Sequence, residues 1–181
     1  MDASSARVVV VTGASGNLGQ AVVRAFEALG DAVVRVDRGA RAAGAGLHVA
    51  ADLTDAADAQ RIADAALDRF GRIDVLCNLA GGFAMGEHVH ATADATWTRM
   101  WNLNVATMVN ASRAVVPVML DRGRGAIVNV GAYGALKGGA TMGAYAASKS
   151  AVMRLTESMA SELRDRGINV NAVLPTTLDT P

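Results

Sequence analysis

Short runs of β-branched residues alternate along this 181-residue chain with longer alanine-rich stretches, and that alternation leaves few architectures open. Arg7 to Thr12 reads as a buried strand, Leu18 to Leu29 as a helix closed by Gly30, and Ala32 to Asp37 as a second strand, a β-α-β unit. Leu47 to Ala50 is a short third strand. Thr54 then caps a helix to Phe70, with Asp55 and Asp58 at its positive end and Gly71 ending it. Ile73 to Asn78 is a fourth strand, a long helix from about Ala95 to Asp121 carries a bend at Pro117, and the apolar run from Ala126 follows the Arg122 to Gly125 turn. A helix from Tyr145 to Leu163 leads to a sixth strand, Ile168 to Leu174. Strands and helices in this order imply one α/β domain, a doubly wound parallel sheet covered on both faces.

Composition narrows function. The formal net charge is zero with no long block of one sign, which argues against a nucleic-acid partner. Met1 to Arg7 lacks an apolar signal core and no apolar run reaches membrane-spanning length, so no membrane partner is expected. A single cysteine, Cys77, lies inside an apolar strand; it reads as a small buried hydrophobe, and a reducing cytoplasm fits best. His88 and His90 have no third His or Cys nearby, so they read as a polar loop and no metal site is assigned.

Between the first strand and first helix stands Thr12-Gly13-Ala14-Ser15-Gly16-Asn17-Leu18-Gly19. Glycines there permit a tight turn and close approach of backbone to a pyrophosphate, while a helix N-terminus offers N–H donors and positive dipole. Asp37 ends the second strand, where a carboxylate can accept hydrogen bonds from a ribose diol and repel a 2′-phosphate. NAD(H) is therefore favoured; Arg38, next in sequence, keeps NADP(H) open.

The chain has two tyrosines and two lysines and places a Tyr four residues before a Lys twice. Tyr133 and Lys137 lie in a stretch, Gly134 to Gly143, too rich in glycine to hold a helix. Tyr145 and Lys149 head a run of good helix formers, so there the spacing puts a phenol and an ammonium on one face, where both can act on one proton.

Together these motifs resemble the short-chain dehydrogenase/reductase family, a Rossmann-fold group, along the whole chain: the glycine loop, Asp37, Asp52-Leu53, Asn78-Leu79-Ala80-Gly81, Asn104, Tyr145 with Lys149, and Asn171 to Pro175. The resemblance implies a small-molecule substrate, with Tyr145 as proton donor or acceptor at the substrate oxygen. Lys149 would lower the pKa of the phenol and bind the nicotinamide ribose, and Asn104 would carry a water-mediated proton path to Lys149. It further implies cofactor contacts from Gly13, Ser15, Gly16, Asn17, Leu18, Gly19, Asp37, Asp52, Leu53, Ala80, Gly81, Lys149, Pro175 and Thr180. Asn78 would stabilise the sheet. The two long helices, through small residues such as Ala106, Ala111, Ala114, Ala151 and Ala160, would form the interface of a homodimer or homotetramer. A lid and a C-terminal strand are expected to follow Pro181 and so to be absent from this chain.

The chain departs from the family pattern at three positions: Asn17 replaces a loop glycine, Leu79 an asparagine, and Ala132, thirteen residues before Tyr145, the usual serine. Ala132, the loop and Thr177 to Pro181 resemble the dihydropteridine reductase branch, so quinonoid or imine substrates stand beside simple carbonyls. A dinucleotide-binding regulator or scaffold is the competing reading, and a methyltransferase is a more distant one.

Overall fold

A computed structural model describes residues 6–39 and 46–176 of the protein. Six parallel strands form one sheet in the order β3-β2-β1-β4-β5-β6: β1 Val8–Thr12, β2 Ala32–Asp37, β3 Leu47–Ala50, β4 Val75–Asn78, β5 Gly125–Val130 and β6 Ile168–Val173. The helices are α1 Asn17–Ala28, α2 Ala56–Phe70, α3 Asp94–Trp101, α4 Thr107–Asp121 and α5 Gly143–Leu163. β1 shows why its sequence is an unbroken run of valines rather than an alternation. Val8 and Val10 pack with Ile62 and Ala66 of α2 and Val115 and Met119 of α4, while Val9 and Val11 face Val23 of α1. Both faces are buried, so both sets of side chains must be apolar. Val10 aligns with Val34 of β2 and Leu76 of β4, which puts the strand order's reversal between β1 and β4.

Two local expectations change. Asp55, not Thr54, caps α2: Asp55 is extended and its carboxylate accepts from the N–H groups of Ala57 and Asp58, because the Thr54 hydroxyl and N–H are already given to Asp52. The long helix begins at Asp94 and is not uniform; Asn102–Ala106 is a π-helical turn between α3 and α4. Pro117 lies inside α4, which continues through it to Asp121. By length and composition Asp94–Asp121 is apolar enough to cross a membrane, contrary to the sequence reading, yet half of its apolar stretch is buried. Ala111 and Ala114 point into the core beneath the sheet, so of the small residues considered for an interface these two are consumed within the chain.

Candidate active site

The carboxyl ends of β1, β2 and β4 frame a cleft of about 160 Å³ lined by Gly13, Asp37, Asp52, Leu53, Ala80 and Gly81 among others. Gly13 has φ of +65°, and a Cβ there would come 3.0 Å from the backbone of Ala80, so a side chain would close the turn against the neighbouring strand. The loop is stitched to β2: Gly13 N–H donates to Val36 O at 2.9 Å, and Asp37 accepts from Ser15 N–H and Ser15 Oγ, each at 2.9 Å. α1 starts at Asn17 with Gly16 as cap and no side-chain cap bond, which leaves its first N–H groups open at the end of the loop. Asn17 is exposed, Leu18 half-buried and Gly19 buried. These groups fit the phosphates and ribose of a dinucleotide.

Thr12, which sequence reasoning passed over, sets the opposite wall. Its hydroxyl oxygen accepts from the N–H groups of Leu79 and Ala80 at 3.0 and 3.1 Å, fixing the segment that ends in Gly81. A polar residue closing an otherwise all-valine strand was the available signal. Asp52 lines the same cleft, and hydrogen bonds from the Thr54 hydroxyl and N–H lower its pKa, with Arg38 adding a smaller share. Leu53 O accepts from Asn110 Nδ2 at 3.0 Å.

Gly81 joins the cleft to the second group of residues. A Cβ on it would lie 2.7 Å from Asn104 Oδ1 and 3.5 Å from Lys149 Nζ, so its bare backbone lets the asparagine and lysine close in beneath the strand end. Asn104 sits in the π-helical turn and is buried. Its Oδ1 accepts from Gly82 N–H at 2.9 Å, and its Nδ2 donates to Gly82 O at 3.1 Å and Ser148 Oγ at 3.0 Å. Ser148, also unforeseen, donates onward to Tyr145 O at 2.7 Å.

Lys149 is buried, donates to Val130 O at 2.7 Å, and burial pulls its pKa from 10.5 to about 8. Tyr145 is half-buried with its ring edge-on to Phe83, centroids 4.8 Å apart. Burial raises its pKa. The expected lowering of the phenol by Lys149 is thus not what this geometry produces, because the ammonium is turned to the Val130 carbonyl and desolvation dominates. Ala132 is buried and extended at the end of β5. Tyr133 is exposed, as is Lys137; Tyr133 opens a short 3-10 turn, Tyr133–Ala135, and both residues lie ahead of α5. α5 begins at Gly143, where a Cβ would press on Val89 and lie 3.9 Å from the indole of Trp97. Pro175 O accepts from Tyr133 N–H at 3.0 Å, which holds the end of β6 beside this loop; Thr180 lies outside the described residues.

A glycine turn and cleft where a parallel sheet reverses its order define a doubly wound nucleotide-binding protein. The sequence profile described as short chain dehydrogenase matches residues 7–181. The chain is 36% identical to 2-(R)-hydroxypropyl-CoM dehydrogenase of Xanthobacter autotrophicus, over 97% of this chain and 76% of that protein. It is also 36% identical to galactitol 2-dehydrogenase (L-tagatose-forming) of Cereibacter sphaeroides, over 91% and 68%. Its fold superposes on NAD+-bound xylitol dehydrogenase with a TM-score of 0.92 at 28% identity, covering 97% and 72% of the two chains. A short-chain dehydrogenase from Streptomyces avermitilis gives 0.89 at 33%, covering 97% and 68%. The chain belongs to the short-chain dehydrogenase family.

Proposed function

We propose that the protein is an NAD(H)-dependent oxidoreductase interconverting a small carbonyl compound and its alcohol, with Tyr145 as the proton-transferring group. The observation that carries this reading is the convergence of Asn104 and Lys149 on Gly81, a wall of the dinucleotide cleft, with Tyr145 four residues before Lys149 on α5. When bound, the nicotinamide supplies or takes up the two electrons and hydrogen of the redox change. The chain's own residues handle the remaining proton. Tyr145, its pKa raised by burial, is protonated at neutral pH and is suited to donate to a substrate oxygen in the direction of reduction. Lys149, near pKa 8, can exchange a proton close to physiological pH. Asn104 commits both amide hydrogens, so its side chain holds the Gly82 segment against α5 and passes no proton through that nitrogen. Asp37, its carboxylate held toward the loop, favours NAD(H) over NADP(H). The hydroxypropyl and polyol dehydrogenases among the relatives support an alcohol and carbonyl pair.

Ala132 supports a second reading. A buried methyl where a hydroxyl would hold a carbonyl oxygen suits a quinonoid or imine acceptor, as in dihydropteridine reductase, whose protonation needs differ from those of a ketone. A cytoplasmic homodimer or homotetramer through α4 and α5 belongs to the same proposal, and sedimentation measures its stoichiometry. NADH consumption over a panel of ketones, aldehydes and quinonoid compounds, with Tyr145→Phe as control, tests the function. Tyr145-dependent turnover supports it; cofactor binding with no Tyr145-dependent turnover turns the reading to a dinucleotide-binding scaffold.

A further inference from the structure

We propose that Ser15 selects the cofactor by clasping Asp37, so that preference for NADH over NADPH belongs to the pair and not to the carboxylate alone. The inference rests on the dinucleotide reading of the cleft. Ser15 meets Asp37 twice, its N–H on Oδ2 and its Oγ–H on Oδ1, so each carboxylate oxygen is fixed by a donor from the phosphate loop. The backbone reinforces the clasp, because Gly13 and Ala14 both donate to Val36 O, the residue before Asp37. A carboxylate offers about four acceptor positions. Two are taken, and the others remain for a vicinal pair of hydroxyls.

The clasp also holds one full negative charge at a fixed place on the lip of the cleft. Unclasped, Asp37 is half-exposed at a strand end and free to turn toward solvent, where its charge would be screened and its repulsion of a phosphate monoester lost. Arg38 lines the same cleft and bears on Asp52. Ser15 itself is exposed and Gln20 Nε2 holds its carbonyl at 2.8 Å, so the loop keeps its path when the hydroxyl is removed.

Direct titration of NADH and NADPH fluorescence reads the outcome without any substrate. Ser15→Ala should raise the NADH dissociation constant roughly 3- to 10-fold, the cost of ordering the released Asp37 side chain on binding, while leaving NADPH unchanged or tighter. The preference ratio narrows accordingly. Ser15→Thr, which keeps the hydroxyl, should retain the ratio. In an Asp37→Ala background, Ser15→Ala should change NADH binding by less than about 2-fold. Equal weakening of both cofactors, or an undiminished effect in the Asp37→Ala background, would overturn the proposal. The wild-type ratio stands apart from these: tighter NADPH binding by the unmodified protein would refute the NAD(H) assignment, whereas the double-mutant coupling tests the clasp.

Discussion

Lys149 stands in an environment far from water, and its chemistry follows from that. Its pKa falls to about 8 from 10.5 because burial penalises the ammonium, so between those values the unfolded chain binds more protons than the folded one. Stability should therefore rise with pH from about 8 to 10.5, and below that window the buried charge costs on the order of 3 kcal/mol. Lys149→Met should flatten this rise, read as the difference between urea midpoints of the two proteins across the window. In turnover the same titration should appear as an alkaline loss of reduction rate as Lys149 gives up its proton. Tyr145→Phe should lower kcat by roughly 10²- to 10⁴-fold with NADH binding unchanged, since the phenol lies against Phe83 rather than in the cleft beside Asp37. The direction of the Lys149 shift was beyond the sequence. Spacing placed the lysine one turn from the tyrosine, but burial under Gly81 and the reach to Val130 O depend on strands far away in the chain.

At the scale of elements, irregular pieces place the site. The π-helical turn at Asn102–Ala106 inserts extra residue length into a helix, which rotates α4 relative to α3 and sets Asn104 beneath Gly81. Adding a methyl there should be costly: Gly81→Ala would drive a Cβ to 2.7 Å from Asn104 Oδ1. The expected result is loss of both NADH affinity and turnover, with the melting temperature shifted far less than either. Asp55→Ala should instead cost about 1 kcal/mol of stability and leave cofactor affinity alone, measured by thermal denaturation and titration. The strands and most helix ends were legible because valine runs, Gly30 and Gly71 are local signals. The π turn was not, because its residues continue a helical pattern of apolar spacing and the extra residue is selected by packing against α5. Thr54 and Asp55 are both competent caps, and only the Asp52 contact decides between them.

The whole molecule is held together by polar ties as well as by its apolar layers. Asn78 Nδ2 donates to Asn129 Oδ1 at 2.9 Å, and Asn129 Nδ2 donates to Thr156 Oγ1 at 2.9 Å, linking β4, β5 and α5 through the interior. Asn129→Ala would leave Asn78 Nδ2 only its 3.4 Å contact with Ser112 Oγ and should destabilise the protein by about 1–3 kcal/mol, measured by urea unfolding. At the opposite end of the sheet Asp74 accepts from Val8 N–H and from Arg72, with Arg122 nearby. Burial alone would raise its pKa, yet these hydrogen bonds and charges carry it below the ordinary value, so that tie should hold at neutral pH and weaken only in acid. The fold and the cleft beside the glycine turn were readable in advance since glycine turn, strand end and helix start are contiguous in sequence; the ties across β4, β5 and α5 were not, since Asn78, Asn129 and Thr156 meet only once the sheet is built. One contact has a practical use. The indole of Trp97 lies near the head of α5, 3.9 Å from where a Cβ on Gly143 would stand, two residues ahead of Tyr145, so in a Trp101→Phe protein its ultraviolet emission is a native optical gauge. Energy passed from that fluorophore to NADH should reveal occupancy of the cleft without any attached dye.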